Sequence, residues 1–425
     1  MNFIYLTGLV VLFSGWAFAY NADFLDWEKK VAAQNPRILA QKAMAASSRA
    51  GVLSRFVLPK LKTETVLAQG SFETGLTQEI PFPGKMLVGF LTNQNSALGA
   101  KETLRMATGE VLAGFADSYL SLFFLDRRER FTKAHRESLR QHESQLAGKM
   151  IGGLEKRSAF LDTQMEGLMM ENDALRLAGE KEGEWARFES FFENPPPRKD
   201  VEKSFSQIRF QIYSFGPATN EIVLRSAVRR SALLQAQTYV VRQREGILSG
   251  TWVSLLPDLS LKTTYKSSTG ALDPSSNPVQ VQVNLEIPWA VFPQAGEISE
   301  MALMLRAARE DLRAAEKQMT AELRNEIAAY ASGVKRNELY NSRLKPLLRQ
   351  SLSEAQNQAG DVEYFETLHK VIRANEDFLQ NRIDMERRLK RIEALLSVPL
   401  EKLSQASDAF LKVVGSVSLG DEHVH

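Results

Sequence analysis

The sequence predicts a mainly α-helical protein with a small β part, built as two copies of one plan. Each copy is expected to hold a helix, a β-hairpin and a long helical coiled-coil hairpin, in that order. Three observations support this fold class. Segments of the first half recur in the second, two pairs of strands alternate apolar and polar residues, and long stretches carry apolar residues at helical spacing.

The composition excludes several classes of protein. The chain has 425 residues, and its 53 Lys+Arg nearly balance its 51 Asp+Glu, so a nucleic-acid binder acting through bulk charge is excluded. Its lack of cysteine excludes disulfides, thiol catalysis and Cys-based metal centres. The sequence holds no glycine-rich phosphate loop, nucleophile elbow or His-Glu-x-x-His pattern, so we expect neither an enzyme nor a cofactor.

The N-terminus begins with an apolar segment that ends in Ala17-Phe18-Ala19. Signal peptidase needs small residues at the first and third of these positions, so residues 1–19 are predicted to be a cleaved secretory signal peptide. The apolar segment is marginal for a membrane span, and acidic rather than basic residues follow it. A retained N-terminal anchor is the alternative.

The first helix of the first copy has a recognisable start, with Asn35 as candidate N-cap and Pro36 at the first helical position. A strand pair follows, and its counterpart in the second copy is clearer. There the apolar set is Val279, Val281, Val283, Leu285 and Ile287, and the alternating polar set is Gln280, Gln282, Asn284 and Glu286. One face of such a strand suits lipid or a core, and the other suits water.

The same alternation continues in the other predicted strands. On the strand before, Leu259, Leu261, Thr263 and Tyr265 alternate with Ser260, Lys262 and Thr264. In the first copy Phe72, Thr74, Leu76 and Ile80 alternate with Glu73, Thr77 and Glu79. We therefore expect two hairpins, the first of them shorter.

Long amphipathic helices follow both hairpins. In the second copy the apolar residues are spaced by three or four: Leu312, Ala315, Met319, Leu323, Ile327, Tyr330 and Val334. A helix from Gly84 to Gly148 would extend roughly 95 Å. Each copy is therefore predicted to contain an antiparallel helical hairpin that reverses at an Ala-Gly pair.

The internal repeat is read from four pairs of segments. Glu79-Ile80-Pro81-Phe82 matches Glu286-Ile287-Pro288-Trp289, Gly84 matches Gly296, Ala116–Tyr119 matches Ile327–Tyr330, and Ala147-Gly148 matches Ala359-Gly360. The separation of Gly84 from Gly148 equals that of Gly296 from Gly360. The halves join at prolines 195–197, which neither a helix nor a central strand tolerates.

The repeat sets the predicted domain boundaries. They are 1–19 for the signal peptide, 20–195 for the first repeat (β-hairpin about 59–82, helical hairpin about 85–192), 196–219 for the inter-repeat segment, 220–400 for the second repeat (β-hairpin about 258–288, helical hairpin about 296–397) and 401–425 for the C-terminal tail.

Taken together, these features resemble the TolC family of outer-membrane efflux proteins, CzcC-like relatives included. The stretch from Ala359 to Leu368 is similar to the family's motif at the periplasmic tip, and the resemblance covers nearly all of the mature chain. It implies a homotrimer in the bacterial outer membrane, with a twelve-stranded β-barrel and an α-helical periplasmic tunnel. Such a protein is an exit duct served by a periplasmic adaptor and an inner-membrane transporter.

A physical argument supports oligomerisation independently of the resemblance. Two hairpins alone would leave exposed sheet edges, and no sheet edge can face hydrocarbon. Other subunits must therefore close the sheet against outer-membrane lipid. The competing hypothesis is a periplasmic coiled-coil adaptor or scaffold without a pore, which would be expected to carry one hairpin rather than two.

The resemblance also suggests functional residues. Glu366 and His369 fall where the family has polar or acidic residues at the tunnel constriction, and a solvated helix face is the alternative. The helical tips Gly148, Lys149, Gly360 and Asp361 are expected to contact the adaptor, or else to act only as helix caps. The junction between barrel and helices is placed at Pro81, Phe82, Pro288 and Trp289.

The remaining histidines support no predicted metal site. His423 and His425 belong to a terminal tail, and such tails are commonly disordered. His135 and His142 lie two turns apart on one helical face, too far for one ion to bridge within the helix, and are expected to face solvent.

Overall fold

The structure, a computed structural model, describes residues 22–54, 61–68, 71–151, 157–215, 221–268, 279–286, 291–358, 361–397 and 411–418. The predicted signal peptide, Pro288, Trp289, Gly360, His423 and His425 lie outside these residues.

Helices dominate the described residues. They are α1 Ala22–Gln34, α2 Pro36–Ser54, α3 Pro83–Ile151, α4 Arg157–Glu189, α5 Arg198–Ser204, α6 Glu221–Arg229, α7 Ala232–Val253, α8 Val291–Leu339, α9 Lys345–Gln358 and α10 Asp361–Leu396. Side-chain caps set some of their starts. The Asn35 Oδ1 atom accepts from the Arg37 N–H at 3.0 Å ahead of α2, which confirms the predicted N-cap, and Ser231 caps α7 in the same way. No helix in the described residues combines enough length and apolar character to cross a bilayer.

The strands form one four-stranded antiparallel sheet and one separate pair. The strands are β1 Lys62–Ala68, β2 Ser71–Ile80, β3 Arg209–Phe215, β4 Asp258–Ser268, β5 Val279–Glu286 and β6 Leu411–Ser418. The larger sheet has the order β1-β2-β4-β5, so the two hairpins are joined through β2 and β4. Among the residues that the structure describes, the outer strands β1 and β5 each pair with one neighbour only and so form the edges of the sheet.

The chain divides into two compact units. The first unit comprises Met1–Leu39, Met106–Val228 and Met319–His425, and the second comprises Ala40–Arg105 and Arg229–Gln318. The four-stranded sheet belongs to the second unit, and the β3-β6 pair belongs to the first.

Within the first unit, the long helices pair in an antiparallel manner. Between α3 and α4, Arg136 contacts Glu171 at 2.6 Å and Gln164 contacts Glu143 at 2.9 Å. Between α8 and α10, Arg388 contacts Glu326 at 3.0 Å. A single π-helical turn, Tyr340–Leu344, separates α8 from α9, and its Tyr340 ring stacks on Phe378 with centroids 3.9 Å apart.

An aromatic cluster lies in the first unit's core. Phe115 and Tyr119 of α3 are fully buried, and the Phe24 ring of α1 stacks on Phe115 and contacts Tyr119 at a tilt. The Tyr119 hydroxyl bonds the Ser204 hydroxyl at 2.7 Å, so the polar tip of this ring is satisfied inside the core. Aromatic side chains of α4, including Phe188, complete the cluster.

The core of the second unit lies where α7 packs against its neighbours. Val241 is buried with Leu305 and Ala308 of α8. A Cβ atom at Gly246 would overlap the Thr92 hydroxyl oxygen, so α7 and α3 pack closely at this glycine.

The β3-β6 pair is an addition to the predicted elements. β3 lies in the inter-repeat segment and β6 in the C-terminal tail, neither of which was assigned a strand from the sequence. The pairing is antiparallel, with an irregularity between Ile212 and Tyr213. The prediction of a mainly helical chain with a small β part is confirmed. The two-fold repeat, the domain boundaries and the closed barrel stay predictions.

Candidate functional site

One face of the four-stranded sheet is mostly apolar, although Gln78 of β2 lies opposite Leu261 on it. In the register of β4 with β5, Leu259 faces Leu285, Leu261 faces Val283 and Tyr265 faces Val279. On the other side of β4, Leu259 faces Ile80 of β2. The apolar sets that alternate along the strands therefore share one face. That face is open to its surroundings, since Val281 and Val283 are each 63% exposed.

The opposite face of the sheet is polar and charged. The Lys262 ammonium on β4 reaches across β2 to the Glu64 carboxylate on β1, at 3.1 Å. Gly75 of β2 lies beneath this crossing, and a Cβ atom there would lie 3.5 Å from the Lys262 stem. Lys62 pairs with Glu79 on the same face. An alternation of this kind gives the sheet one side suited to lipid and one suited to water.

A polar clamp holds the point where β2 passes into α3. The Asp258 carboxylate, at the start of β4, accepts from the Phe82 N–H at 3.1 Å and pairs with the Lys85 ammonium at 2.7 Å. Pro81 and Phe82 fall between Ile80, the last residue of β2, and Pro83, the first of α3. Asp258 and Lys85 were not identified from the sequence, because no pattern links positions so far apart in the chain.

The Phe82 ring folds back over Gly84. A Cβ atom at Gly84 would lie 3.0 Å from the ring, so glycine provides the space that the ring occupies. Phe82 remains 40% exposed, and its place at a junction of barrel and helices stays a prediction.

The predicted tip residues lie at helix ends. Gly148 and Lys149 belong to the last turn of α3, which continues beyond them to Ile151, and Asp361 is the first residue of α10. Glu366 is exposed on α10.

The structure places His369 in a cluster with other titratable side chains. Its Nδ1 atom lies 2.9 Å from the Glu166 Oε1 atom on α4, and its ring meets the His135 ring of α3 at a centroid distance of 3.9 Å. The expectation that His135 and His142 face solvent is wrong, because they are only 7% and 5% exposed. The helical pairing of α3 with α10 covers the face on which both histidines lie.

Burial shifts the titration of these imidazoles. Desolvation, aided by the neighbouring His369, lowers the pKa of His135 to about 4. Desolvation also lowers the pKa of His369, with Arg373 and His142 acting in the same direction and Glu366 opposing them. Both rings are therefore neutral at pH 7. Sequence spacing relates His135 to His142, but it contains no signal that brings Glu166 or His369 to them.

These features define the class of fold: long antiparallel helical hairpins together with a four-stranded sheet that is apolar on one open face. No family model matches the chain, and no curated protein matches it in sequence.

Solved structures do match the fold over most of its length. A membrane protein from Pseudomonas aeruginosa superimposes with a TM-score of 0.75 at 13% identity, over 89% of this chain and 94% of that chain. CusC superimposes with a TM-score of 0.74 at 12% identity, over 90% of this chain and 94% of CusC. Its crystal structures follow folding and transmembrane channel formation. The CmeC outer membrane channel of Campylobacter jejuni superimposes with a TM-score of 0.73 at 12% identity, over 93% of this chain and 91% of CmeC. The chain fold implied by the resemblance to the TolC family, long helices with a small antiparallel sheet, is thereby confirmed, while the closed barrel and the trimer stay predictions.

Proposed function

We propose that the mature chain is the outer-membrane exit duct of a tripartite efflux or export system. Three copies would join their sheets into a closed barrel in the outer membrane, and their helices would form a periplasmic tunnel. The duct would conduct substrate passively, with an inner-membrane transporter supplying the energy and a periplasmic adaptor joining the two. No catalytic step is proposed.

One observation carries this proposal: within the described part of the chain, the sheet has an exposed apolar face and two edge strands that lack a second partner. Exposed valines at alternate positions of β5 would be unfavourable in water and favourable in lipid. Open edges are intolerable in hydrocarbon, because each unpaired N–H and C=O there costs several kcal/mol. Pairing β1 of one copy with β5 of the next would satisfy both edges, and three copies of four strands give an even-numbered barrel.

The likeness to solved channels supports the same function. CmeC is an outer membrane channel, as are OprN and the Neisseria gonorrhoeae MtrE, which the chain also matches in fold. On this basis the sheet would contact outer-membrane lipid, with Pro81, Phe82, Pro288 and Trp289 at the junction of barrel and tunnel. The helical tips at Gly148, Lys149, Gly360 and Asp361 would contact the adaptor.

Membrane fractionation and reconstitution test the proposal. The mature protein is expected to stay in the outer membrane after salt and carbonate washing, to purify in detergent as a trimer and to form ion-conducting pores in planar bilayers. A protein that salt washes off the membrane, and that is a monomer without detergent, would contradict the proposal and favour the adaptor alternative.

We further propose that Glu366 contributes charge at the tunnel constriction, with His369 beside it. Glu366 is exposed on α10, so three copies would form an acidic ring that attracts cations. His369 is half-buried against α3 and α4, so its contribution would be to orient α10.

Single-channel recording tests the role of Glu366. The Glu366→Gln variant is expected to lose part of its preference for cations over anions and to change conductance, because the ring loses three charges. Glu182→Gln serves as the control, since that carboxylate is held by Arg198 at 2.8 Å and is remote from α10 in sequence. Identical selectivity in Glu366→Gln and the wild type would remove Glu366 from the constriction.

A further inference from the structure

Three helices of the first unit bring metal-ligating side chains together at one place. His135 of α3, Glu166 of α4 and His369 of α10 each offer one ligand atom, and these atoms all lie within 4.8 Å of one another. His135 is buried, and the other two are partly buried. Ligands that come from three separate helices are held in position by the packing of the helices rather than by a flexible loop.

Two ring nitrogens in this cluster are buried without a hydrogen-bond partner among the described residues. Within the residues that the structure describes, neither the Nε2 atom of His135 nor that of His369 has a hydrogen-bond partner. Buried polar atoms are normally satisfied, so an unsatisfied pair at one site needs an explanation. The Glu166 Oε1 atom lies 2.9 Å from the Nδ1 atom of His369, which places a carboxylate directly beside the two imidazoles.

The electrostatic setting suits a cation as well. Imidazole nitrogens and carboxylate oxygens are both common ligands of divalent transition metals. Arg373 is the nearby positive charge, while the Glu166 and Glu366 carboxylates are the nearby negative charges. His142 is the remaining titratable neighbour of His369.

We infer that His135, Glu166 and His369 bind one divalent transition-metal ion, with Zn²⁺ as the best match to two imidazoles and one carboxylate. Adjacent ligand atoms around tetrahedral Zn²⁺ lie about 3.3 Å apart, so small side-chain rotations would bring the three groups into coordination. Water would fill the fourth position. The ion would tie α3, α4 and α10 together, whether or not the chain conducts substrate.

Zn²⁺ binding by the C-terminal tail must be excluded from the measurement. His423 and His425 are a second possible source of metal ligands in this chain. The test therefore uses the full mature protein carrying His423→Ala and His425→Ala, purified in detergent through a tag without histidine and stripped with EDTA. Zn²⁺ is then titrated in competition with a chromophoric chelator.

The expected result is one Zn²⁺ per chain, with no competition from a large excess of Mg²⁺, which prefers oxygen ligands. His135→Ala and Glu166→Gln should each weaken Zn²⁺ binding at least tenfold. Glu166→Gln keeps an oxygen that can accept from His369, so it preserves the local packing and remains informative if His135→Ala fails to fold. Co²⁺ should also bind and show the visible absorption of a tetrahedral site.

Glu171→Gln is the matched control. It removes a carboxylate from the same pair of helices, where Glu171 contacts Arg136, but leaves the three ligands in place. Zn²⁺ binding should be unchanged in this variant. Absence of stoichiometric Zn²⁺ binding in the protein carrying His423→Ala and His425→Ala, or equal affinity in Glu166→Gln and Glu171→Gln, would overturn the inference.

Discussion

At Glu386 the fold buries a carboxyl group in a crowded charged cluster of α10. Lys390 and Glu393 lie 3.1 Å apart in the same cluster and are almost completely buried. Desolvation raises the pKa of Glu386 to about 8, and the attraction of Lys390 is too weak to offset it. Glu28 of α1 belongs to the same environment, and desolvation raises its pKa to about 7. With one lysine among three carboxyls, the protonated form of Glu386 is favoured at neutral pH.

This shift gives the protein a pH-dependent stability. The unfolded chain releases the Glu386 proton near pH 4.5, whereas the folded chain keeps it up to about pH 8. The folded state therefore binds more protons between these values, and stability falls as the pH rises through this window. Glu28 acts in the same direction up to about pH 7.

The Glu386→Gln variant tests this residue. Glutamine resembles the protonated acid, so the variant should melt at nearly the same temperature as the wild type at pH 4.5. The melting temperature of the variant should then rise relative to that of the wild type up to about pH 8, and the difference should stay constant above that pH. Thermal unfolding of detergent-purified protein across this range measures the difference. The exposed Glu310→Gln is the control, and a parallel pH response in both variants would contradict the assignment.

At the scale of elements, α8 and α10 pack closely against each other at Gly333. The Asn381 amide donates to the Gly333 carbonyl oxygen at 3.0 Å, and a Cβ atom at Gly333 would lie 2.6 Å from the Met385 Cγ atom. A side chain at this position would force the two helices or the methionine to move, and would strain the buried hydrogen bond.

Alanine substitution at two glycines distinguishes the effect of close packing on stability from the effect of helix propensity. Gly333→Ala is expected to destabilise the protein by about 1–3 kcal/mol, because it overpacks the contact of α8 with α10. Gly179→Ala, in α4, has nothing within 4 Å of the new methyl group and should instead stabilise by about 0.5–1 kcal/mol. Chemical or thermal unfolding in detergent compares the two. Equal effects of the two substitutions would show that Gly333 has no packing role.

The clamp between β4 and α3 is a second element-scale feature. Asp258→Ala removes both the bond to the Phe82 N–H and the ion pair with Lys85, and should cost about 1–2 kcal/mol. Asp258→Asn keeps an oxygen acceptor for the backbone and should cost less than half as much. Unfolding measurements on both variants test this order, and an alanine variant as stable as the asparagine variant would contradict it.

At the scale of the whole molecule, the sheet's two faces decide whether it suits a membrane. Val281 and Gln282 are neighbours on β5 and project to opposite faces. If the apolar face meets lipid in a trimeric barrel, Val281→Lys should impair insertion by about 2–4 kcal/mol near the bilayer centre. Gln282→Lys, on the water-facing side, should insert normally.

The fraction of urea-resistant protein in outer membranes measures this difference. A folded trimer resists extraction, whereas chains that fail to insert are washed away or degraded. Equal insertion of the Val281→Lys and Gln282→Lys variants would show that the apolar face does not meet lipid.

The sequence by itself determined the kinds of element and their faces. The alternation along β4 and β5 and the helical spacing from Leu312 to Val334 are local patterns, because a strand repeats every two residues and a helix every 3.6. The N-cap at Asn35 was predictable because it is also a local pattern. β3 and β6 were missed because short strands within a linker and a tail carry weak periodicity, and their pairing depends on residues far apart in the chain.

Only the tertiary structure decided which elements meet. Pairing of β2 with β4 made one sheet of two hairpins, Asp258 reached the start of α3, and α3, α4 and α10 brought His135, Glu166 and His369 together. The same packing buried the histidines that were expected in solvent. Such contacts depend on the complementary shapes of whole helix and sheet surfaces. Residues that are adjacent in sequence do not reveal that complementarity.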